Sequence, residues 1–181
     1  IKDEEFILFF QPQINLKTGK MTAMEALIRW EHKDLGLISP GDFIPIAEET
    51  GLILAIDEWV LKKACLEAKT WQDNGLPPTK VAVNLSAAQF LHPGLIEKID
   101  RILTETSLSP EFLELEITEN MIMHDIQLAI QVLGKIKSRG IQISIDDFGT
   151  GYSSLSYLKD LPLDTIKIDR SFIKDIDMDM H

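Results

Sequence analysis

The sequence has almost no cysteine. A single thiol, Cys65, among 181 residues excludes an internal disulfide framework and fits a reducing compartment. Cys65 lies in an apolar-periodic segment and reads as a buried, inert thiol. Cationic side chains are also scarce: 18 Lys and Arg stand against 29 Asp and Glu, a formal net charge of −11. That balance argues against binding DNA, RNA or an anionic membrane broadly. An anionic ligand would need cations supplied locally, by a metal or by a few placed Lys and Arg. No apolar run approaches the roughly 20 residues of a membrane-spanning helix. The opening IKDEEFILFF is acidic, whereas a secretory signal starts basic. It lacks an initiator methionine, and the expectation is a piece of a longer protein, cytoplasmic or the cytoplasmic part of a membrane-anchored parent. No glycine-rich phosphate loop follows the first strand, which weakens a dinucleotide-binding reading. His32, His92, His124 and His181 fall in loops or at ends with no ligand spacing, and read as solvated. Ser153 and Ser154 have no evident base, and Met121 and Met123 read as packing residues.

What is present suits one globular domain: 45% hydrophobic and 26% charged residues. FILFFQPQINL and TAMEALIRW read as strands joined by a turn at Lys17–Thr18–Gly19–Lys20. Ser39 and Pro40 start a helix. A longer helix runs from about Leu54 to Asn74 and ends at Gly75. KVAVNLS is a strand, and Leu95 to Thr106 an amphipathic helix with Ile96, Ile99, Ile102 and Leu103 on one face. FLELEIT is a strand. Ile126, Ala129, Ile130, Leu133 and Ile136 mark another helix, stopped by Gly140. IQISIDD is a strand, a short helix follows from Ser153, and DTIKID is a strand. Strands alternating with helices imply parallel βα units.

Alternate strand residues face opposite ways. Leu113, Leu115 and Ile117 oppose Glu114, Glu116 and Thr118. Ile141, Ile143 and Ile145 oppose Gln142, Ser144 and Asp146, and Ile166 and Ile168 oppose Thr165, Lys167 and Asp169. Val81, Val83 and Leu85 oppose Ala82, Asn84 and Ser86, and Glu25, Leu27 and Arg29 share a face. An antiparallel sheet with one wet side would explain this pattern, but the intervening helices need the apolar faces as cover. A barrel explains it better, with apolar faces outward under helices and polar faces converging inside. Glu25, Asn84, Glu116, Asp146, Asp147 and Lys167 then lie at or near the C-terminal mouth, where barrel active sites sit.

These are oxygen donors suited to Mg²⁺ or Mn²⁺. The adjacent pair Asp146 and Asp147 would suit two ions that activate a water for in-line attack on phosphorus. Lys167 would hold the attacking group or stabilise transition-state charge. Any single carboxylate here is usually a solvated strand end; a set sharing one parity is not.

At these residues the chain resembles the EAL-domain family, the cyclic-di-GMP phosphodiesterases. Glu25–Ala26–Leu27 is the eponymous motif, extended as EALIRW. VNLS carries Asn84, EITE carries Glu116 and Glu119, DDFGTGYSSL carries the aspartate pair, and KIDRSFI carries Lys167. The resemblance implies an α/β fold, a modified (β/α)8 TIM-type barrel with an antiparallel first strand. About six of eight strands are expected here, residues 1–181 being a partial domain without the last two strand–helix units. It implies two Mg²⁺ or Mn²⁺ ions and hydrolysis of cyclic di-GMP to linear pGpG. The metal positions would be Glu25, Asn84, Glu116, Asp146 and Asp147, with Lys167, Glu25 and Asp146 as the catalytic group. Gln11, Leu27 and Arg29 match substrate contacts, Arg29 to a phosphate. Asp147, Phe148, Gly149, Thr150, Gly151, Tyr152 and Ser153 match a dimer-linked switch loop, and Glu119 matches the glutamate that holds it. A homodimer through that loop and attached sensory or GGDEF-type domains are implied.

The family continues into an EGVE-like motif with a further metal-site glutamate and into a QG motif. Neither occurs after Lys167. The chain by itself is therefore expected to be impaired in catalysis. The rival reading is a receptor that holds cyclic di-GMP without cutting it. A third, an Mg²⁺-dependent barrel that stabilises an enolate, is weakened because Lys167 is the only inward lysine the parity identifies.

Overall fold

The computed structural model describes residues 5–149, 158–172 and 174. Strand β1 (Phe6–Ile14) pairs antiparallel with β2 (Met21–His32). The hairpin closes where Asn15 N–H donates to the Lys20 carbonyl at 2.8 Å. A short β3 (Gly36–Ile38) also pairs antiparallel with β2. From β2 onward the ladder is parallel: β4 (Lys80–Asn84), β5 (Leu113–Thr118), β6 (Gln142–Phe148) and β7 (Thr165–Ile168) follow in spatial order. The antiparallel first strand is as expected. The described sheet has seven strands rather than about six. The addition is β3, whose three residues are too few to show alternation.

Helices α1 (Pro40–Glu49), α2 (Ile53–Asp73), α3 (Ala87–Phe90), α4 (Leu95–Thr106), α5 (Glu119–His124) and α6 (Ile126–Lys137) fill the connections. Proline at the first turn starts α1, although the Ser39 side chain makes no cap bond. In α4 the residues at i, i+4, i+7 and i+8 from Leu95 are all buried. Asp125 caps α6, accepting from Leu128 N–H at 3.0 Å, and Lys135 and Lys137 face the negative end of the helix dipole. The short α3 and α5 carry no periodic signal and were not foreseen. The short helix expected from Ser153 lies outside the described residues.

The apolar strand faces pack outward as the parity requires. Val81, Val83, Leu113, Leu115, Ile117, Ile141, Ile143 and Ile145 join the helix faces in one core. Met121 and Met123 pack against it. The exception is β7, where Ile166 and Ile168 remain 45% and 64% exposed. The helices that cover the sheet lie over the strands before it.

Two long contacts show that the sheet curls into a barrel wall. Lys167 on β7 reaches Glu25 on β2 at 3.1 Å, four strand spacings away in the sheet order. On a flat sheet that would be roughly 19 Å, beyond the combined reach of the two side chains, roughly 10 Å. Gln13 on β1 reaches Glu116 on β5 in the same way.

Cys65 is fully buried on the inner face of α2, and burial pushes its thiol up to about 12. A thiol reagent is expected to leave the native protein unmodified near neutral pH and to titrate one thiol after unfolding in urea; fast native labelling would contradict this burial. The folded thiol holds its proton more tightly than the unfolded one. Its contribution to stability is therefore complete below about pH 9 and is lost as pH rises toward 12.

Candidate active site

Strand register sets the inner polar face in layers. Glu25, Ala82, Glu114 and Gln142 lie side by side along the ladder, and Asn84, Glu116 and Ser144 form the next row toward the mouth. Beside the lower row lies an ion pair that the parity reading missed, its Glu114 buried and its Lys80 half-buried. Lys80 Nζ donates to Glu114 Oε2 at 2.9 Å and to Gln142 Oε1 at 2.6 Å. Lys167 is thus not the only inward lysine. Lys80 is the first residue of β4 and shares the parity of Ala82 and Asn84, so alternation carried back one step places it inside with them.

Toward the mouth, Glu25 from the first row, Glu116 from the second and Asp146 from the next converge. Carboxylate oxygens of Glu25, Glu116 and Asp146 lie within 4.8 Å of one another. Lys167 Nζ sits among them, donating to Glu116 at 2.7 Å and to Glu25 and Asp146 at 3.1 Å each. Asn84 Nδ2 donates to the other Glu25 oxygen at 3.1 Å. Three carboxylates facing one ammonium leave an excess of negative charge. Burial pushes Glu116 up to about 7, against the opposing pull of Lys167. Burial alone would lower Lys167, but its bond to Glu116 and the charges of Glu116 and Glu25 outweigh that and raise it. The ammonium marks a cradle of hard oxygen donors around positive charge, which fits a divalent cation of the Mg²⁺ or Mn²⁺ kind.

Asp147 stands beside this cradle rather than in the three-carboxylate group. Neighbouring strand residues point to opposite faces, so an adjacent aspartate pair needs a local departure from the strand. The register with β7 shifts between Ile145 and Phe148, and Asp147 has φ +52°. The Asp147 N–H donates to Asp146 Oδ1 at 3.0 Å. Burial, then the charges of Asp146 and Asp169, raise the Asp147 carboxyl. Asp169 is a further carboxylate near the pair, two residues beyond Lys167 and so on its parity.

Leu27, Arg29 and Asn84 line a cavity of about 290 Å³ beside the cradle, with Asp57, Ser86 and Thr118. Arg29 lies over the Phe9 ring at 5.4 Å. Gln11 pairs with Glu25 in register and is exposed. Asp57, buried on α2, accepts hydrogen bonds from the Ser86 N–H and hydroxyl, and burial raises its carboxyl despite them. His32 and His92 accept backbone N–H bonds in the turns that follow them; His92 is an exposed loop residue as expected, whereas His32 ends β2 half-buried, its ring 5.4 Å from that of Trp30.

Of the switch-loop residues, Asp147, Phe148 and Gly149 are described; Thr150, Gly151, Tyr152 and Ser153 lie outside the described residues. Glu119 Oε2 accepts the Gly149 N–H at 3.0 Å, and Glu119 is buried. Gly149 has φ +99°, and a Cβ there would lie 2.6 Å from the Phe172 ring. Only glycine fits both constraints.

The chain matches the EAL domain family over residues 1–181. It is 47% identical over 176 residues to the bifunctional diguanylate cyclase/cyclic di-GMP phosphodiesterase MucR of Pseudomonas aeruginosa, covering 97% of this chain and 26% of that protein. It is 42% identical over 176 residues to the cyclic di-GMP phosphodiesterase NbdA of the same species, covering 97% and 22%. The chain therefore spans about a quarter of the length of these relatives. A structure of PaMucR phosphodiesterase in complex with c-di-GMP superposes with a TM-score of 0.94 at 47% identity, over 98% of this chain and 72% of that one. The FimX EAL domain of Pseudomonas aeruginosa bound to c-di-GMP gives 0.87 at 30% identity, over 97% and 70%. The chain belongs to the EAL domain family, and its sheet is the wall of that family's TIM-barrel-like fold. No helix among the described residues is long and apolar enough to cross a membrane.

Two substitutions test this geometry. Lys80→Met leaves the Glu114 carboxylate buried without its cation, and is expected to cost about 3–5 kcal/mol in urea unfolding; a loss below about 1 kcal/mol would mean the pair is not buried as described. Gly149→Ala is expected to lower the melting temperature and displace Phe172, whereas Gly134→Ala, in open space within α6, is expected to be neutral or stabilising.

Proposed function

We propose that this domain hydrolyses cyclic di-GMP to linear pGpG, using two Mg²⁺ or Mn²⁺ ions. The observation that carries the reading is the convergence of Glu25, Glu116 and Asp146 on one cationic centre at 2.7–3.1 Å, within an EAL-family barrel. Glu25, Asn84, Glu116, Asp146 and Asp147 would hold the ions. When bound, such ions supply Lewis-acid activation of water and neutralise charge on the phosphate.

The chain's own groups do the rest. Arg29 leaves the Phe9 ring to pair with a phosphate oxygen, a bidentate contact that a guanidinium makes well. Leu27 offers apolar surface and Gln11 an amide to the nucleotide. Lys167 keeps its ammonium charged at neutral pH, so it donates a hydrogen bond to the attacking water and counters charge developing at phosphorus. A P–O bond to water forms, the P–O3′ bond breaks, and a proton ends on the leaving oxygen. Glu119 tethers the loop at Gly149.

The wider context is proposed on the same footing. The 72% coverage of the PaMucR structure supports residues 1–181 as part of a domain whose last two strand–helix units lie outside them. Relatives about four times longer support attached sensory or GGDEF-type domains. We place the domain in the cytoplasm, as a homodimer joined through the switch-loop region.

Incubation of the full-length protein with cyclic di-GMP and Mg²⁺ tests the reading. The parent is expected to release pGpG, and Glu25→Ala to lose at least about 100-fold in rate, since a metal ion's share of transition-state stabilisation is several kcal/mol. Binding without pGpG would leave the receptor reading in place of the enzyme; neither binding nor cleavage would sink both.

A further inference from the structure

We propose that Gln13 is a positioning residue for Glu116, holding one carboxylate oxygen so that the other stays turned to the cation cradle; this rests on the reading of Glu116 as a cation ligand. Gln13 Nε2 donates to Glu116 Oε1 at 3.4 Å, while Lys167 engages Oε2 at 2.7 Å. The two oxygens of this buried carboxylate thus have different jobs. Oε2 faces the cationic centre shared with Glu25 and Asp146. Oε1 meets a neutral amide arriving from the other side of the barrel.

The approach of Gln13 is prepared by the fold. Its cross-strand partner on β2 is Ala23, and Ala82 lies on the inner face of β4, the next strand along. Both alanines are buried and small, and Lys80, the register neighbour of Ala23 on β4, turns to Glu114 and Gln142, leaving Gln13 to reach Glu116. The β1–β2 register shifts between Gln13 and Ile14, and such irregularities re-aim side chains at sheet rims. Thr22 Oγ1 donates to the Gln13 carbonyl at 3.2 Å, pinning the backbone where the shift occurs.

A neutral donor suits this task. A second cation at Oε1 would draw the carboxylate's charge away from the cradle. An amide orients the carboxylate without adding charge. Partners that orient a metal ligand are worth about 10–100-fold in metal affinity.

The test uses the full-length protein and Mn²⁺ calorimetry. Gln13→Met keeps the length of the side chain and removes the donor. It is expected to weaken Mn²⁺ binding by about 10-fold or more, lower kcat, and leave KM for the cyclic dinucleotide within about twofold. Thr22→Val, which loosens the Gln13 backbone, is expected to give a smaller loss in the same direction. Parent-like Mn²⁺ affinity in Gln13→Met overturns the proposal, as does a raised KM with kcat preserved, which would make Gln13 a substrate contact. A metal-free measurement separates this proposal from the reading beneath it. The Gln13 side-chain amide resonance is expected to shift in Glu116→Ala. No shift overturns the contact even where Mn²⁺ binds. A shift in a parent that binds no Mn²⁺ overturns the cation site, and with it the role given to Gln13 toward that cation.

Discussion

The Lys167 ammonium and the carboxylates around it are the constraint on which this structure turns. Three acidic groups whose oxygens lie within 4.8 Å cannot all stay ionised in a partly dry barrel without positive charge among them. Lys167 supplies some of it, yet Glu116 still rises to about 7. That residual strain is electrostatic and local. It favours any divalent cation able to enter, because added positive charge would offset the repulsion among the carboxylates. The same constraint requires the curl of the sheet. A flatter sheet would separate Glu25 from Lys167 and relieve the repulsion by dissolving the site.

The barrel interior manages its polar groups differently at its two levels. At the lower level Lys80, Glu114 and Gln142 satisfy one another, so that cluster is closed and structural, while Glu25 alongside them turns up to the cradle. At the upper level the acids outnumber the cation. Ser144 stands in the Glu116 row, fully buried, with no hydrogen-bond partner for its hydroxyl among the described residues. A closed polar layer beneath an unbalanced one gives the site a rigid floor. The charge imbalance is thereby confined to the mouth, where solvent, ions and ligands arrive.

Much of this was legible in the sequence because period-2 alternation is a hard geometric rule. It put Glu25, Asn84, Glu116, Asp146 and Lys167 on the inner face, and these five are hydrogen-bonded to one another in the fold. The rule fails where a strand departs from its period or is too short to show one. Asp147 would face away from Asp146 by strict alternation; a register shift and a positive φ, neither visible in residue identities, keep it near its neighbour. The three residues of β3 show no period; Lys80, the first residue of β4, was missed although its parity is that of Ala82 and Asn84. Gln13 was missed for another reason. It shares a face with Gln11 by alternation, but its partner on β5 depends on how tightly the sheet closes, which is a property of the whole wall.

Glu116 and Glu119 give the site its link to the neighbouring loop. They are three residues apart, Glu116 within strand β5 and Glu119 at the first residue of α5. Glu116 engages Lys167 inside the cradle, and Glu119 accepts the Gly149 N–H. Strand β6 completes the circuit, since it presents Asp146 to Lys167 and, three residues later, Gly149 to Glu119. Two adjacent parallel strands are therefore tied twice, once through a cation and once through a backbone hydrogen bond. Phe172 closes over Gly149 from the segment that follows Lys167. A shift of Gly149 must stretch its hydrogen bond to Glu119 or carry Glu119 with it, and the Asp146–Asp147 turn lies two residues before it. Glu119 is three residues from Glu116, and Gly149 three from Asp146, so this hydrogen bond joins the two strands that carry the cradle's carboxylates.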